Sequence, residues 1–314
     1  MYKRQSNYTF EFNKDWKGYR CSVLKDSVAW GMSGITAVFK GQESNIKIKS
    51  NHRGYDSQYY DFNRIRIFYD NWTDDYEVVL EKPELITEIS INKQAHFIEF
   101  KLSKKLEELD FCVRRKINSE NSEFLLMGLE LMNDNDGVQY TTIGVNGASF
   151  KSYDRTVFFD NQLMLYKPDL FIISVGTNDA YYPTFDAEDY KTNFENLILK
   201  IQSVNPDCAI LLTVPNDSYF KRQHANPRTK VMQNIIYDLA EKHKMAVWDF
   251  YKIMGGFNSS QKWYKHELMP KDRIHFTQVG YRIKADLLLN ALVNSWEKEL
   301  QLIPNSILHN IINE

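Results

Sequence analysis

The stretch PDLFIISVGTND, residues 168–179, is an apolar run that ends in a glycine and a polar turn. A half-buried strand alternates apolar and polar side chains. This run does not, so the sequence predicts a strand covered on both faces. The segments around it supply the cover. EDYKTNFENLILKIQSV (188–204), TKVMQNIIYDLAEKHK (229–244) and TQVGYRIKADLLLNALVNSW (277–296) carry helical periodicity, the last with Thr277 as its N-cap. CAILLTVP (208–215) and AVWDFY (246–251) read as further strands, and VQYTTIGVNGAS (138–149) as a strand with a glycine-bearing turn. Strands alternating with helices imply an α/β fold: a doubly wound parallel sheet with helices on both faces.

The chain before NDNDG (133–137) has a different character. NIKIKS (45–50), RIRIFYD (64–70), YEVVLE (76–81), ITEISI (86–91), FIEFKL (97–102) and FLLMGLELM (124–132) are short β-prone runs, several of them alternating. Turn-like NWTDD (71–75) and EKPE (81–84) separate some of them. Many short strands at fairly even spacing predict an antiparallel β-sandwich or jelly roll.

Composition narrows the function. Apolar residues are 43% and charged residues 25% of the 314, as in a soluble globular protein. A net charge of −2 predicts no nucleic-acid partner and no attraction to anionic membrane, and no run is long enough for a membrane span. Aromatic residues at 14% suit strands, and also carbohydrate-facing surfaces. Cys21, Cys112 and Cys208 are widely spaced and form no CxxC pair; buried free thiols are expected, with a pair open in an oxidising compartment. No HxH or HExxH grouping occurs, so no metal and no cofactor is expected.

Three loops at predicted strand ends hold chemistry: IGVNGASF (143–150), SVGTNDAYY (174–182) and DRIHF (272–276). Open α/β sheets place ligands at the carboxyl ends of their strands. The N–H of Gly147 and the amide of Asn178 can serve a developing oxyanion, although each also reads as a turn residue. His275 can move a proton while Asp272, three residues earlier, fixes its tautomer; capping plus a surface histidine is the plainer reading. Asp179, Tyr181 and Tyr182 can shape a substrate pocket or pack a loop. TVPNDSYFKRQHANPRT (213–229) reads as a site-facing loop whose cations either meet an acidic glycan or are solvated. NSSQKWYKHELMPKDRIH (258–275) approaches the histidine, with Trp263 and Tyr264 open to sugar stacking or to packing.

In this order, GVNGAS (144–149), GTND (176–179) and DRIH (272–275) resemble three of the four blocks of the SGNH (GDSL-like) hydrolases, over residues 138–296. The resemblance implies a flavodoxin-like sheet, with Gly147 and Asn178 as oxyanion donors and Asp272 and His275 as the acid–base pair. The fourth block, a strand followed by GDS, carries the serine, and GDS occurs nowhere in the 314 residues. One branch of the family, resembling peptidoglycan O-acetylesterases, carries a β-rich insertion between the serine and glycine blocks. LKDSVAWGMSGITAVFKG (24–41) looks like its early strands. The opening MYKRQ (1–5) resembles the translation of a transposon end used in preparing sequencing libraries, and no apolar signal-peptide core follows it. The expected plan is therefore an artefact at 1–5, an inserted sandwich at 6–137, an α/β hydrolase domain at 138–300 lacking its first strand, and a tail at 301–314.

CSVLKDSVAWG (21–31) offers a rival nucleophile, Ser27, but the residues after it make a poor helix. Ser33 and Ser149 are weaker still. The resemblance implies a serine carboxyl-ester hydrolase that removes acetyl groups from an O-acetylated cell-envelope glycan such as peptidoglycan, in the periplasm or at the cell surface. The 314 residues alone are expected to fold poorly and to be inactive. A lipase or thioesterase on the same fold, and a non-catalytic glycan-binding protein, are the alternatives. Nothing in the sequence gives the oligomeric state.

Overall fold

The computed structural model describes residues 8–51, 60–71, 74–116 and 122–302; MYKRQ and most of the expected tail lie outside them. The chain divides into two compact units, residues 1–168 with 197–208, and residues 169–196 with 209–314.

Among the described residues the first unit holds ten strands: β1 (Tyr8–Phe12), β2 (Lys17–Arg20), β3 (Ile35–Phe39), β4 (Glu43–Ser50), β5 (Phe62–Asp70), β6 (Tyr76–Leu80), β7 (Ile86–Asn92), β8 (Phe97–Leu106), β9 (Glu108–Arg115) and β10 (Phe124–Met132). Two short helices follow, α1 (Phe150–Tyr153) and α2 (Phe159–Tyr166). The strands form two antiparallel sheets, in the orders β1-β4-β9-β6 and β2-β3-β10-β5-β8-β7. On β4 the alternation of NIKIKS becomes burial: Ser44, Ile46, Ile48 and Ser50 point inward. Ile46 and Ile48 share one core with Phe111 and Val113 of their own sheet and with Phe39, Ile65, Ile67, Phe100 and Phe124 of the other. Trp16 stacks on Phe39 at 5.0 Å in that core and donates its indole N–H to Ser44 Oγ at 2.8 Å.

The opposite face of the larger sheet is covered too. Phe68, Phe97 and Met127 pack there with Phe158, Leu165 and Tyr166 of the α2 region. Beside them Arg66 bridges its cross-strand partners Glu99 and Glu130, with N–O distances of 2.7 and 2.9 Å. The cysteines are all free and buried.

The second unit is built on three parallel strands, β11 (Leu170–Ile173), β12 (Ala209–Thr213) and β15 (Ala246–Trp248), in that spatial order. After β11 come α3 (Thr177–Tyr181) and α4 (Ala187–Val204), whose last turns belong to the first unit. After β12 come a hairpin, β13 (Tyr219–Phe220) and β14 (His224–Ala225), and α5 (Arg228–His243). After β15 come α6 (Phe250–Ile253), α7 (Ser259–Lys265) and α8 (Gln278–Leu302). The Thr277 hydroxyl accepts from Gly280 N at 3.2 Å, capping α8 as its sequence predicts. No described helix is long and apolar enough to cross a membrane.

Two sequence expectations come out differently. The run that read as buried on both faces is an edge strand: β12 is almost wholly buried, whereas Leu170 of β11 is 41% exposed. Residues 138–149 form no strand, and Val138 and Tyr140 stand exposed. A strand exists only through a ladder partner, and no described strand pairs with this segment or with the outer edge of β11.

The α8 contact contains a misfit. Lys284 places its ammonium over the rings of Phe250 and Phe276, at 4.8 and 5.6 Å, and burial pushes its pKa down to about 8. At neutral pH both folded and unfolded states are protonated, and only the folded state bears the cost of desolvation. Lys284→Met is therefore expected to raise stability at pH 7 by about 1–3 kcal/mol. Between pH 8 and the ordinary lysine value of 10.5 the folded parent sheds its proton first and recovers stability, so the advantage shrinks across that window. Denaturant titrations of both proteins at pH 7 and pH 10 check the sign.

Candidate active site

β11 ends at Ile173, and the chain reverses into α3 at Gly176. Gly176 has φ +130, and a Cβ there would lie 2.7 Å from Pro215 Cγ and 3.0 Å from the Tyr190 hydroxyl. Glycine is required on both counts. Gly176→Ala is expected to lose about 2 kcal/mol or more of stability, read as a lower denaturation midpoint.

Asn178 lies in the first turn of α3. The other end of α3 is held by the start of α5. Asn226 Nδ2 donates to Ala180 O at 2.9 Å, and Arg228 donates to Ala180 O and Pro183 O at 3.0 Å each and also to Tyr182 O. These carbonyls have no intrahelical donor, so the guanidinium satisfies what a five-residue helix cannot. Tyr181 packs on Phe220 of β13, ring centres 5.6 Å apart, and Asp179 occupies the same short helix.

The histidine loop has the geometry of a charge-oriented base. His275 Nδ1 lies 2.8 Å from Asp272 Oδ2, while Asp272 Oδ1 accepts the N–H groups of Ile274 at 2.9 Å and His275 at 3.1 Å. Burial works to raise the Asp272 pKa, but the hydrogen bonds from His275 and the two amides outweigh it and hold the carboxyl below its ordinary value. An ionised carboxylate only accepts, so Nδ1 carries the proton and Nε2 is the basic nitrogen. The His275 side chain is 66% exposed while that of Asp272 is 20% exposed, so a fixed carboxylate presents an accessible imidazole.

The loop after β12 braces this loop from the side. Asn216 Nδ2 donates to Ile274 O at 3.3 Å and Tyr219 N to Arg273 O at 3.1 Å. Arg273 lies 3.9 Å over the Tyr219 ring. Trp263 supports it from beneath, its ring edge-on to Phe250 and Phe276 and its indole N–H donating to Met254 O at 3.0 Å.

Gly147 belongs to the first unit and has φ +78 in the turn after Val145. The Ser22 hydroxyl donates to Asn146 O at 2.8 Å and fixes that turn. Ser149 caps α1, its N–H donating to Ser152 Oγ at 3.0 Å. Ser27 sits exposed in an irregular loop with no helix after it. Arg155 braces that loop through Cys21 O, Val23 O and Asp26 O. Ser33 donates to Met127 O at 2.7 Å.

Sequence reasoning missed Ser22, Asn216, Tyr219, Asn226 and Arg228. Most lie in the TVPNDSYFKRQHANPRT loop, whose composition announces a turn but several of whose bonds reach distant backbone.

This arrangement, an oriented histidine beside a parallel sheet with a glycine-led turn at a strand end, is that of an ester hydrolase. The family model of the GDSL-like lipase/acylhydrolases matches residues 126–283, and the chain belongs to that family. Among solved structures, a peptidoglycan O-acetylesterase matches with a TM-score of 0.73 and 18% identity, covering 94% of this chain and 79% of its own. A lipase/acylhydrolase from Enterococcus faecalis matches at TM-score 0.38 and 23% identity, covering 46% of this chain and 71% of that one. An acetyl xylan esterase matches at 0.39 and 22%, covering 47% and 78%. Comparison with curated protein sequences gives no match. The chain thus has the SGNH hydrolase fold together with antiparallel β-sheets.

Proposed function

We propose that this site belongs to a serine acetylesterase acting on an O-acetylated cell-envelope polysaccharide, peptidoglycan being the leading candidate, in the periplasm or at the cell surface. The Asp272–His275 pair carries the reading, because an exposed imidazole with its Nδ1 proton fixed by a carboxylate is poised to take a proton at Nε2. The likeness to a peptidoglycan O-acetylesterase over 94% of the chain supports the substrate class.

The nucleophile is a serine contributed from outside these 314 residues. GDS is absent from them, and the outer edge of β11 lacks a described ladder partner, as it would if a strand had been removed. In the reaction, the serine oxygen attacks the acetyl carbonyl while His275 Nε2 takes its proton. The Asn178 amide stabilises the oxyanion, and collapse expels the sugar hydroxyl, which leaves with the proton from His275. Water then enters by the same steps, releasing acetate and restoring the serine. Asp179 and Tyr181, on the helix of Asn178, border the acyl or sugar group.

The test is to express the chain with the residues encoded upstream in its own gene and to measure acetate release from O-acetylated peptidoglycan. Release is expected, and His275→Ala should lower kcat about 10⁴-fold. An upstream sequence without a strand–GDS block, together with no release, would instead establish the glycan-binding reading, which the missing GDS alone favours.

A further inference from the structure

The hairpin beside the histidine loop is built against its own backbone preference. In the turn from Phe220 to Gln223, closed by Gln223 N to Phe220 O at 3.1 Å, both central residues are left-handed, Lys221 at φ 50 and Arg222 at φ 62. Such turns favour Asn-Gly, because side chains beyond Cβ gain nothing from that backbone and β-carbons strain it. Here the two positions hold cations. Residues 218–230 contain Lys221, Arg222, Arg228 and Lys230 and no Asp or Glu, in a chain whose net charge is −2.

The hairpin and the histidine loop are one piece. Tyr219 N donates to Arg273 O at 3.1 Å, and the Arg273 guanidinium donates to Arg222 O at 3.0 Å and Gln261 Oε1 at 2.9 Å. Arg273 is two residues from His275, at most about 7 Å of backbone, which is within one screening length at physiological salt. The carboxylates of these two loops are already committed. Asp217 is buried and accepts from Ser260 N at 3.0 Å and Ser260 Oγ at 2.6 Å, and Asp272 is bonded to His275. Among the described residues, Lys221, Arg222, Lys271 and Arg273 form no ion pair. An unbalanced cationic edge therefore flanks the base.

We infer that the β13–β14 hairpin is an anion-recognition arm of the ester site and that the substrate is a glycan bearing carboxylates close to its ester. The inference rests on the ester-hydrolase reading above. It is tested by binding rather than turnover, so that it can fail while hydrolysis stands, or stand while hydrolysis fails.

The test is calorimetric titration of the full chain with trigalacturonate and with the neutral N-acetylchitotriose, at 50 and 200 mM salt. Trigalacturonate is expected to bind at least about fivefold more tightly than the neutral trimer at low salt, with the preference shrinking at high salt. The double variant K221N/R222G removes both charges and installs the residue pair that the turn favours, so it should be at least as resistant to denaturant as the parent while losing the preference. Equal affinity for the two trimers, or an unchanged preference in a folded K221N/R222G protein, would overturn the inference. Displacement of trigalacturonate by inorganic phosphate at matched ionic strength would overturn the carboxylate assignment.

Discussion

No mass increase is expected when the folded 314-residue chain is incubated with a fluorophosphonate under conditions that label a known serine esterase completely. The reagent reports a serine whose oxygen is activated by a neighbouring base and presented on a sharp turn. Ser22, Ser27, Ser33 and Ser149 are not so placed. Ser33 donates to Met127 O, Ser22 donates to Asn146 O, and Ser149 is spent on capping α1. Ser27 is exposed, but it lies in an irregular loop rather than between a strand and a helix, and the backbone on its N-terminal side is bound by Arg155. His275 is prepared regardless: its carboxylate is in place and its ring is open to solvent. If the proposed upstream strand and GDS block are present, the same reagent should label that longer chain stoichiometrically, and His275→Ala should slow that labelling by orders of magnitude. An adduct on the 314-residue chain that disappears in Ser27→Ala would make Ser27 the nucleophile and refute the supply of a serine from upstream.

What the sequence reveals here follows the range of the forces involved. Alternation in NIKIKS is local, and it became the burial it predicts, while CAILLTVP formed the strand it reads as. Asp272 and His275 are three residues apart, so their pairing needs only a short turn and is readable in one dimension. Residues 138–149 have the composition of a strand, but ladder bonds come from a neighbour, and composition does not say whether one is present. The same holds for β11, whose apolar run reads as central and which is an edge strand among the described residues. The supports of the site were hidden for a related reason. Arg228 reaches back 48 residues to Ala180 O, and Asn216 reaches forward 58 residues to Ile274 O. No spacing rule joins a side chain to a backbone carbonyl so far away.

Arg66→Met is expected to destabilise the first unit by about 3–5 kcal/mol, the largest loss of stability anticipated from a single substitution in this protein. Arg66, Glu99 and Glu130 are cross-strand neighbours on β5, β8 and β10, with side chains only 14%, 9% and 12% exposed. One guanidinium thus faces two carboxylates, on a sheet face that α2 covers. Burial pushes the Glu130 pKa up even with Arg66 opposing it, and the Glu99 charge adds to the rise. Removing Arg66 takes away the main compensating charge and leaves two like charges in an apolar surrounding, whereas the cation–π contact to Phe97 at 4.8 Å is a small part of the loss. The sign of the pH dependence follows. A carboxyl whose folded pKa lies above its unfolded value binds protons more readily when folded, so stability falls as pH rises through that interval. Arg66→Met should therefore be less damaged at pH 5 than at pH 7. Urea titrations at both pH values, followed by far-UV circular dichroism, give the comparison. The triple variant R66M/E99M/E130M, which replaces the charges by flexible apolar side chains, should recover most of the loss. A penalty below about 1 kcal/mol for Arg66→Met would show that water reaches the triad and that its charges are not held by one another.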